Sequence, residues 1–167
     1  MSALAVSTYV VNTIDTYCNT PSPTQTRVQQ YTSLAGIDVL GYVPKIEKLG
    51  TKAAVILTDI TDHEETRATH LQQITYEIGL VIHMTHHDAH AGGDDMKTLF
   101  NLVKAALRGA VIAVEITDPK TGETSRIEVL GRVMEGHIEE PTLAEAGAGL
   151  VRFLAEIRVL AKEGVWS

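Results

Sequence analysis

Residues 74–84 alternate without a slip. Ile74, Tyr76, Ile78, Leu80, Ile82 and Met84 share one parity, and Thr75, Glu77, Gly79, Val81 and His83 share the other. A helix, with a period of 3.6 residues, cannot put that set on one side, whereas a strand with a period of two does so automatically. The run therefore predicts a long strand with one face on a core and the other toward water or a partner. A second run closes the chain: Val151, Phe153, Ala155, Ile157 and Val159 alternate with Arg152, Glu156 and Arg158. The two rhythms are expected to lie side by side in one β-layer backed by helices.

The remaining elements fit around these strands. Leu4, Val10, Ile14 and Tyr17 fall at helical spacing and predict a helix over 4–18, stopped by Asn19-Thr20-Pro21-Ser22-Pro23-Thr24. Residues 19–50 read as irregular or extended, with no clean period from Gln25 to Gly50. Ala53–Leu57 predicts a short buried strand. Asp59, Asp62, Glu64 and Glu65 then read as an acidic, solvated loop. A second helix is expected over about 94–108, with Met96, Leu99, Phe100, Val103, Ala106 and Leu107 as its stripe. Asp94 and Asp95 suit its N-terminus and Arg108 its C-terminus. Ile112, Val114 and Ile116 run into Asp118-Pro119-Lys120-Thr121-Gly122, a hairpin turn, and Ile127 and Val129 return. Long alternating strands with few helices predict an α+β fold: a two-layer sandwich, its sheet mostly antiparallel, with helices packed on one face, as a single domain over 1–167.

Composition excludes several function classes. With 44% apolar and 21% charged residues the chain matches ordinary globular proteins. A formal charge of −7 opposes a main role in gripping phosphates, so no sequence-specific nucleic-acid partner is expected. Cys18 is the single cysteine and cannot form an intramolecular disulfide. The first 26 residues hold no Lys or Arg, and the apolar stretch Leu99–Ile116 is broken by Lys104 and Arg108. Synthesis in the cytoplasm and no membrane partner are the expectation.

The search for chemistry returns one conspicuous feature, His83, His86, His87 and His90 within eight residues. Imidazoles ligate transition metals, so a metal-binding protein is an alternative reading. The spacing lacks the helical two-His, one-Glu signature of zinc proteases, and a polar stretch at a strand end accounts for it. No metal site or cofactor is expected. Gly92-Gly93 lacks the pattern of a phosphate loop and precedes two aspartates, so it reads as a turn. Cys18 reads as a buried thiol rather than a nucleophile, and Ser7 and Ser33 lack a nucleophile elbow. No catalytic residue is assigned and no enzyme is predicted.

Three stretches carry a likeness to a known family: Gly41–Leu57, Gln73–Ile82 followed by the 94–107 helix, and Leu150–Leu160. In these the chain resembles the tail terminator and minor tail proteins of long-tailed bacteriophages. The resemblance implies a ring-forming structural protein, a hexamer, that caps the tail tube, halts its polymerisation and joins it to the head. Its implied partners are copies of itself, the tail tube protein and a head-completion protein, with a final location in the virion tail. A head-completion or neck connector is a neighbouring alternative of the same style. Lys120 near the hairpin tip and Arg126 on its return strand are the candidate contacts to a subunit or the tube. Leu150, Leu154 and Leu160, on the second face of the last strand, read as core under a helix or as part of a subunit contact.

Overall fold

A computed structural model gives the architecture. It describes residues 3–45, 53–68, 71–108, 111–117, 120, 122, 124–143 and 149–166, of which some strand residues are described by backbone alone. The order is α1 (Ala3–Asn19), α2 (Arg27–Tyr31), β1 (Ile37–Leu40), β2 (Ala53–Ala68), β3 (Leu71–His86), α3 (Ala89–Leu107), β4 (Val111–Thr117), β5 (Thr124–Ile138), β6 (Thr142–Leu143) and β7 (Val151–Trp166). The strands form one sheet in the order β1-β2-β3-β7-β5-β4, with β6 also paired to β7. Only β1 and β2 run parallel; the other pairs are antiparallel. This is an α+β fold.

The two alternating runs are neighbours. β3 pairs with β7 from Leu71↔Trp166 to His86↔Val151 with no break in register. Their shared parity builds the core: Ile78, Leu80, Ile82 and Met84 meet Phe153, Ala155, Ile157 and Val159, all nearly inaccessible to solvent. The helices close this face. α1 contributes Val6, Val10, Ile14 and Cys18, a stripe at four-residue steps, and α3 contributes Met96, Leu99, Phe100, Val103, Ala106 and Leu107. α1 packs on β1, β2 and α3, whereas α3 packs on β3, β5 and β7. A 16-residue strand spans about 53 Å at ~3.3 Å per residue. The 19 residues of α3 span about 28 Å at 1.5 Å each. The sheet is thus much longer than its longest helical cover.

A transverse line of irregularity crosses the sheet. β2 slips register between Leu57 and Asp59, and β5 slips between Val133 and Glu135. The residues between them fall in one row, Asp59↔Gly79↔Arg158↔Glu135. Bulges bend a strand and increase its twist, so two at one level bend the layer there. Gly79 is required at this row. A Cβ on it would lie 2.0 Å from Asp59 Oδ1 and 2.9 Å from Thr58 Oγ1. Through the space it leaves, Asp59 reaches Arg158 at 3.5 Å across an intervening strand.

Several expectations need correcting. The acidic stretch is not a loop: Asp59, Asp62, Glu64 and Glu65 lie within β2, which continues to Ala68. Asp59, Asp62 and Glu64 are exposed there, which removes the apolar rhythm by which a strand is recognised. The irregular 19–50 segment contains α2 and β1. Thr26 starts α2 with a reciprocal capping box to Gln29, and Val28 is its single buried residue. The second helix begins at Ala89 rather than 94, so Gly92 and Gly93 are helical and not a turn.

Candidate functional site

The four clustered histidines do not converge. His83 and His86 both belong to β3 but differ in parity, so they stand on opposite faces of the sheet. His87 lies exposed in the connection, and His90, in the first turn of α3, sits 3.5 Å from Asp94 on the surface. Among the described residues no three His, Cys, Asp or Glu side chains are placed to hold one metal ion.

What the segment does instead is start α3 and fix it to the sheet. Asp88 caps the helix, its Oδ1 accepting the N–H groups of His90 at 2.8 Å and Ala91 at 3.1 Å. Those two bonds, the Ala91 one first, hold the Asp88 carboxyl below the usual aspartate range. The Asp88 N–H donates to His86 Nδ1 at 2.9 Å, so a neutral His86 ring carries its proton on Nε2. Nε2 faces Asp95 Oδ2 at 4.0 Å. Asp95, buried, also accepts the Ser33 N–H at 3.1 Å on one oxygen and the Ser33 hydroxyl on the other. The triplet Ser33–Asp95–His86 therefore has its carboxylate in the middle. A hydroxyl nucleophile needs the base beside it, and here the Ser33 proton is spent on the carboxylate. The group ties the stretch after α2 to α3 and the end of β3. Gly92 completes the joint: a Cβ there would lie 2.5 Å from Phe153 Cε2 and 2.7 Å from His86 Cβ, so the helix backbone rests directly on the aromatic ring.

Cys18 lies on the buried stripe of α1. Burial pushes its thiol up to about 11, with the Arg27 charge pulling modestly the other way, so the reactive thiolate is suppressed at neutral pH. Arg27 is itself engaged, donating to the Tyr17 carbonyl at 3.0 Å and lying 4.1 Å over the Tyr17 ring. The wide groove of about 780 Å³ beside α1 is lined mainly by hydroxyl and amide side chains such as Asn12, Thr13 and Thr16, with Arg27 its cation.

The face of the sheet away from the helices is different. Ala54 and Ile56 of β2, Val81 and His83 of β3, and Arg152 and Leu154 of β7 share its parity. The residues after β1, Val43 and Pro44, lie over part of it and enclose a cavity of about 220 Å³ with Ile56, Thr58, Val81, His83, Arg152 and Leu154. His83 is only 7% exposed, yet neither of its ring nitrogens has a hydrogen-bond partner; Arg152 Nε and Thr85 Oγ1 are likewise buried and unpartnered. Burial first, and the Arg152 charge second, hold the His83 imidazole below its usual range, so it is neutral at pH 7. Nothing in the spacing of residues 83–90 distinguished His83 from its neighbours; only strand parity set it apart.

The predicted hairpin is present as β4 and β5, paired from Val111↔Leu130 to Thr117↔Thr124. Lys120 is exposed at its tip. Arg126 lies in β5 opposite Glu115, and its side chain is outside the described residues. Of the leucines on the second face of β7, Leu154 lines the back cavity rather than the helix-covered core.

No family model matches the chain, and no curated protein matches it. A chain from a solved structure described as "Virion of native gene transfer agent (GTA) particle" aligns over 100% of both chains, with 13% identity and a TM-score of 0.46. At that distance the likeness assigns neither a family nor a role. What fold and site define together is an α+β protein whose conspicuous polar residues lock a helix to a sheet. Among its described helices none is long and apolar enough to cross a membrane.

Proposed function

We propose that this chain is a structural protein of a long-tailed phage, a ring-forming tail terminator that caps the tail tube, stops its polymerisation and joins it to the head. The observation that carries the reading is the one-sided sheet. Helices close one face, while the other keeps Leu154, Ile56 and Val81 around a cavity beside Val43, which is mostly in solvent. A subunit that works by contact needs such surfaces and no active site. Two different flanks that fit each other close into a ring when their rotation is right. Here the flanks do differ: β1 covers only the first four residues of β2 on one edge of the sheet, and β4 forms the other edge. The polar joint at Asp95 supports the reading too, since its groups hold the fold together rather than face a cleft. In this proposal the hexamer sits in the virion tail after assembly in the host cytoplasm. The β4–β5 hairpin, through Lys120 and Arg126, reaches a neighbour or the tube.

The test is co-expression with the tube-forming subunit of the same particle, followed by electron microscopy of tube lengths. A terminator yields short tubes of uniform length with a six-fold ring at one end. Unchanged, open-ended growth contradicts the proposal, and rings that bind heads but never tubes point to a head-completion connector.

A further inference from the structure

We infer that the outer edge of β4 pairs with the uncovered part of β2 in a second copy of this chain, parallel and head to tail. The inference names the subunit contact of the ring proposed above, and it rests on that reading for closure into a ring but not for the pairing itself. It starts from the two edges of the sheet. β4 (Val111–Thr117) is an end strand, and among the described residues no strand pairs with its outer side. Its sequence, Val-Ile-Ala-Val-Glu-Ile-Thr, has five β-branched residues, no proline, no glycine and one charge. An edge of that kind is a template for another strand, and chains that stay apart blunt such edges with lysine, proline or a bulge. β4 has no lysine and no proline, and its pairing with β5 runs without a register shift.

The opposite edge is guarded against itself but open to β4. β1 covers only Ala53–Ile56 of β2, so twelve of its sixteen residues, Leu57–Ala68, meet no described strand on that side. This stretch holds Asp59, Asp62, Glu64 and Glu65 against one arginine, Arg67. Two such edges brought together set carboxylate beside carboxylate, which disfavours pairing. β4 brings no such conflict, because its single charge, Glu115, stands opposite Arg126 of its own hairpin. Unlike edges are therefore favoured over like ones.

Direction and level agree as well. From β2 through β3, β7 and β5 to β4 there are four antiparallel pairings, so β4 runs the same way as β2. A copy related by rotation about an axis along the strands presents β4 parallel to β2, the sense in which β1 already pairs. Three rows cross the whole sheet: His63–Thr75–Lys162–Leu130–Val111, Glu64–Ile74–Glu163–Val129–Ile112 and Glu65–Gln73–Gly164–Glu128–Ala113. β4 thus begins level with His63, whereas β1 stops level with Ile56. The two do not compete: a neighbour's β4 fits beyond β1 on the same edge. Seven residues against twelve leave room for the stagger that a curving sheet needs. Main-chain hydrogen bonds then supply the contact, as in other strand additions.

The test is disulfide cross-linking between two full-length variants, mixed in equal amounts and oxidised with diamide. One carries Ala113→Cys. The other carries Thr61→Cys, His63→Cys or Glu65→Cys, which share its face in the rows above. Cys18 is buried and stays in place. Paired strands bring such positions within disulfide reach, so at least one mixture should yield linked dimer about tenfold above either variant oxidised alone. Val111→Cys, one row pair back, repeats the series should Ala113→Cys fold poorly. No mixed product in either series overturns the pairing. So does an equal yield from Ala113→Cys alone, which marks β4 meeting β4. Electron micrographs of the unmodified chain separate this contact from the ring reading. Six-fold rings without cross-links overturn the edge pairing and leave the ring standing on another contact; cross-links without rings support the edge pairing and count against the hexamer.

Discussion

The two faces of this sheet are built to different standards. On the helix-covered face, Phe153, Ile157, Leu80 and Ile82 are inaccessible and meet helix stripes spaced to receive them. On the other face, one position along the same strands, His83 and Arg152 hold buried polar atoms with no partner beside a cavity of about 220 Å³. A close-packed interior leaves few voids and few orphaned donors, so the first face is a finished core. The second has features that stability alone does not explain. The fold rests mainly on the first face.

Changes to the finished face carry the largest expected effect. Ile157→Ala should lower unfolding free energy by about 2–5 kcal/mol, read from chemical denaturation, because it removes methyl groups where α3 cannot follow. Gly92→Val comes next, at about 1–3 kcal/mol or more, since the added carbons meet Phe153 and the His86 Cβ. Asp95→Ala strands the Ser33 hydroxyl and N–H and should cost about 1–3 kcal/mol, with hydrogen exchange rising first in residues 32–36. Gly79→Ala breaks the Asp59–Arg158 contact at the bent row. That half-exposed pair contributes only about 0–1 kcal/mol, so the loss comes mainly from crowding against the Asp59 carboxylate and Thr58.

The smallest expected effect sharpens the contrast most. His83→Leu, on the other face, should leave stability unchanged or raise it, because it removes two orphaned nitrogens and keeps the volume. The sign of its pH dependence is fixed by the same burial. His83 titrates below its ordinary value of 6.5 in the fold, so the unfolded chain binds the proton more tightly. Stability from this group is full above 6.5 and declines as pH falls from there toward the lowered value. His83→Leu should flatten that part of the denaturation profile.

Legibility in the sequence followed the same divide. The alternation at 74–84 and 151–159 and the stripe at 96–107 identified the core face nearly residue by residue, since burial on one side writes a period into the chain. The β4–β5 hairpin was marked by Asp118-Pro119 and Gly122. Residues 61–64 of β2 are all exposed, so no period is written there, and the acidic stretch reads as a loop. The five-residue α2 and four-residue β1 are too short for any period to register. Gly92 looked like a breaker because its reason, the Phe153 ring beneath it, comes from 61 residues further along the chain. The burial of His83 beside Val43 and Pro44, which follow β1 far away in sequence, is announced by no local pattern.

Adjacent residues of β7 give the most direct test, because Phe153 and Leu154 face opposite ways. Thermal and denaturant unfolding of Phe153→Ser and Leu154→Ser, side by side, compares the two faces at one point of the backbone. Phe153→Ser should lose about 3–5 kcal/mol or fail to fold, whereas Leu154→Ser should lose under about 1.5 kcal/mol and keep a cooperative transition. Equal losses at the two positions would mean that both faces are core, and the division on which this account stands would be wrong.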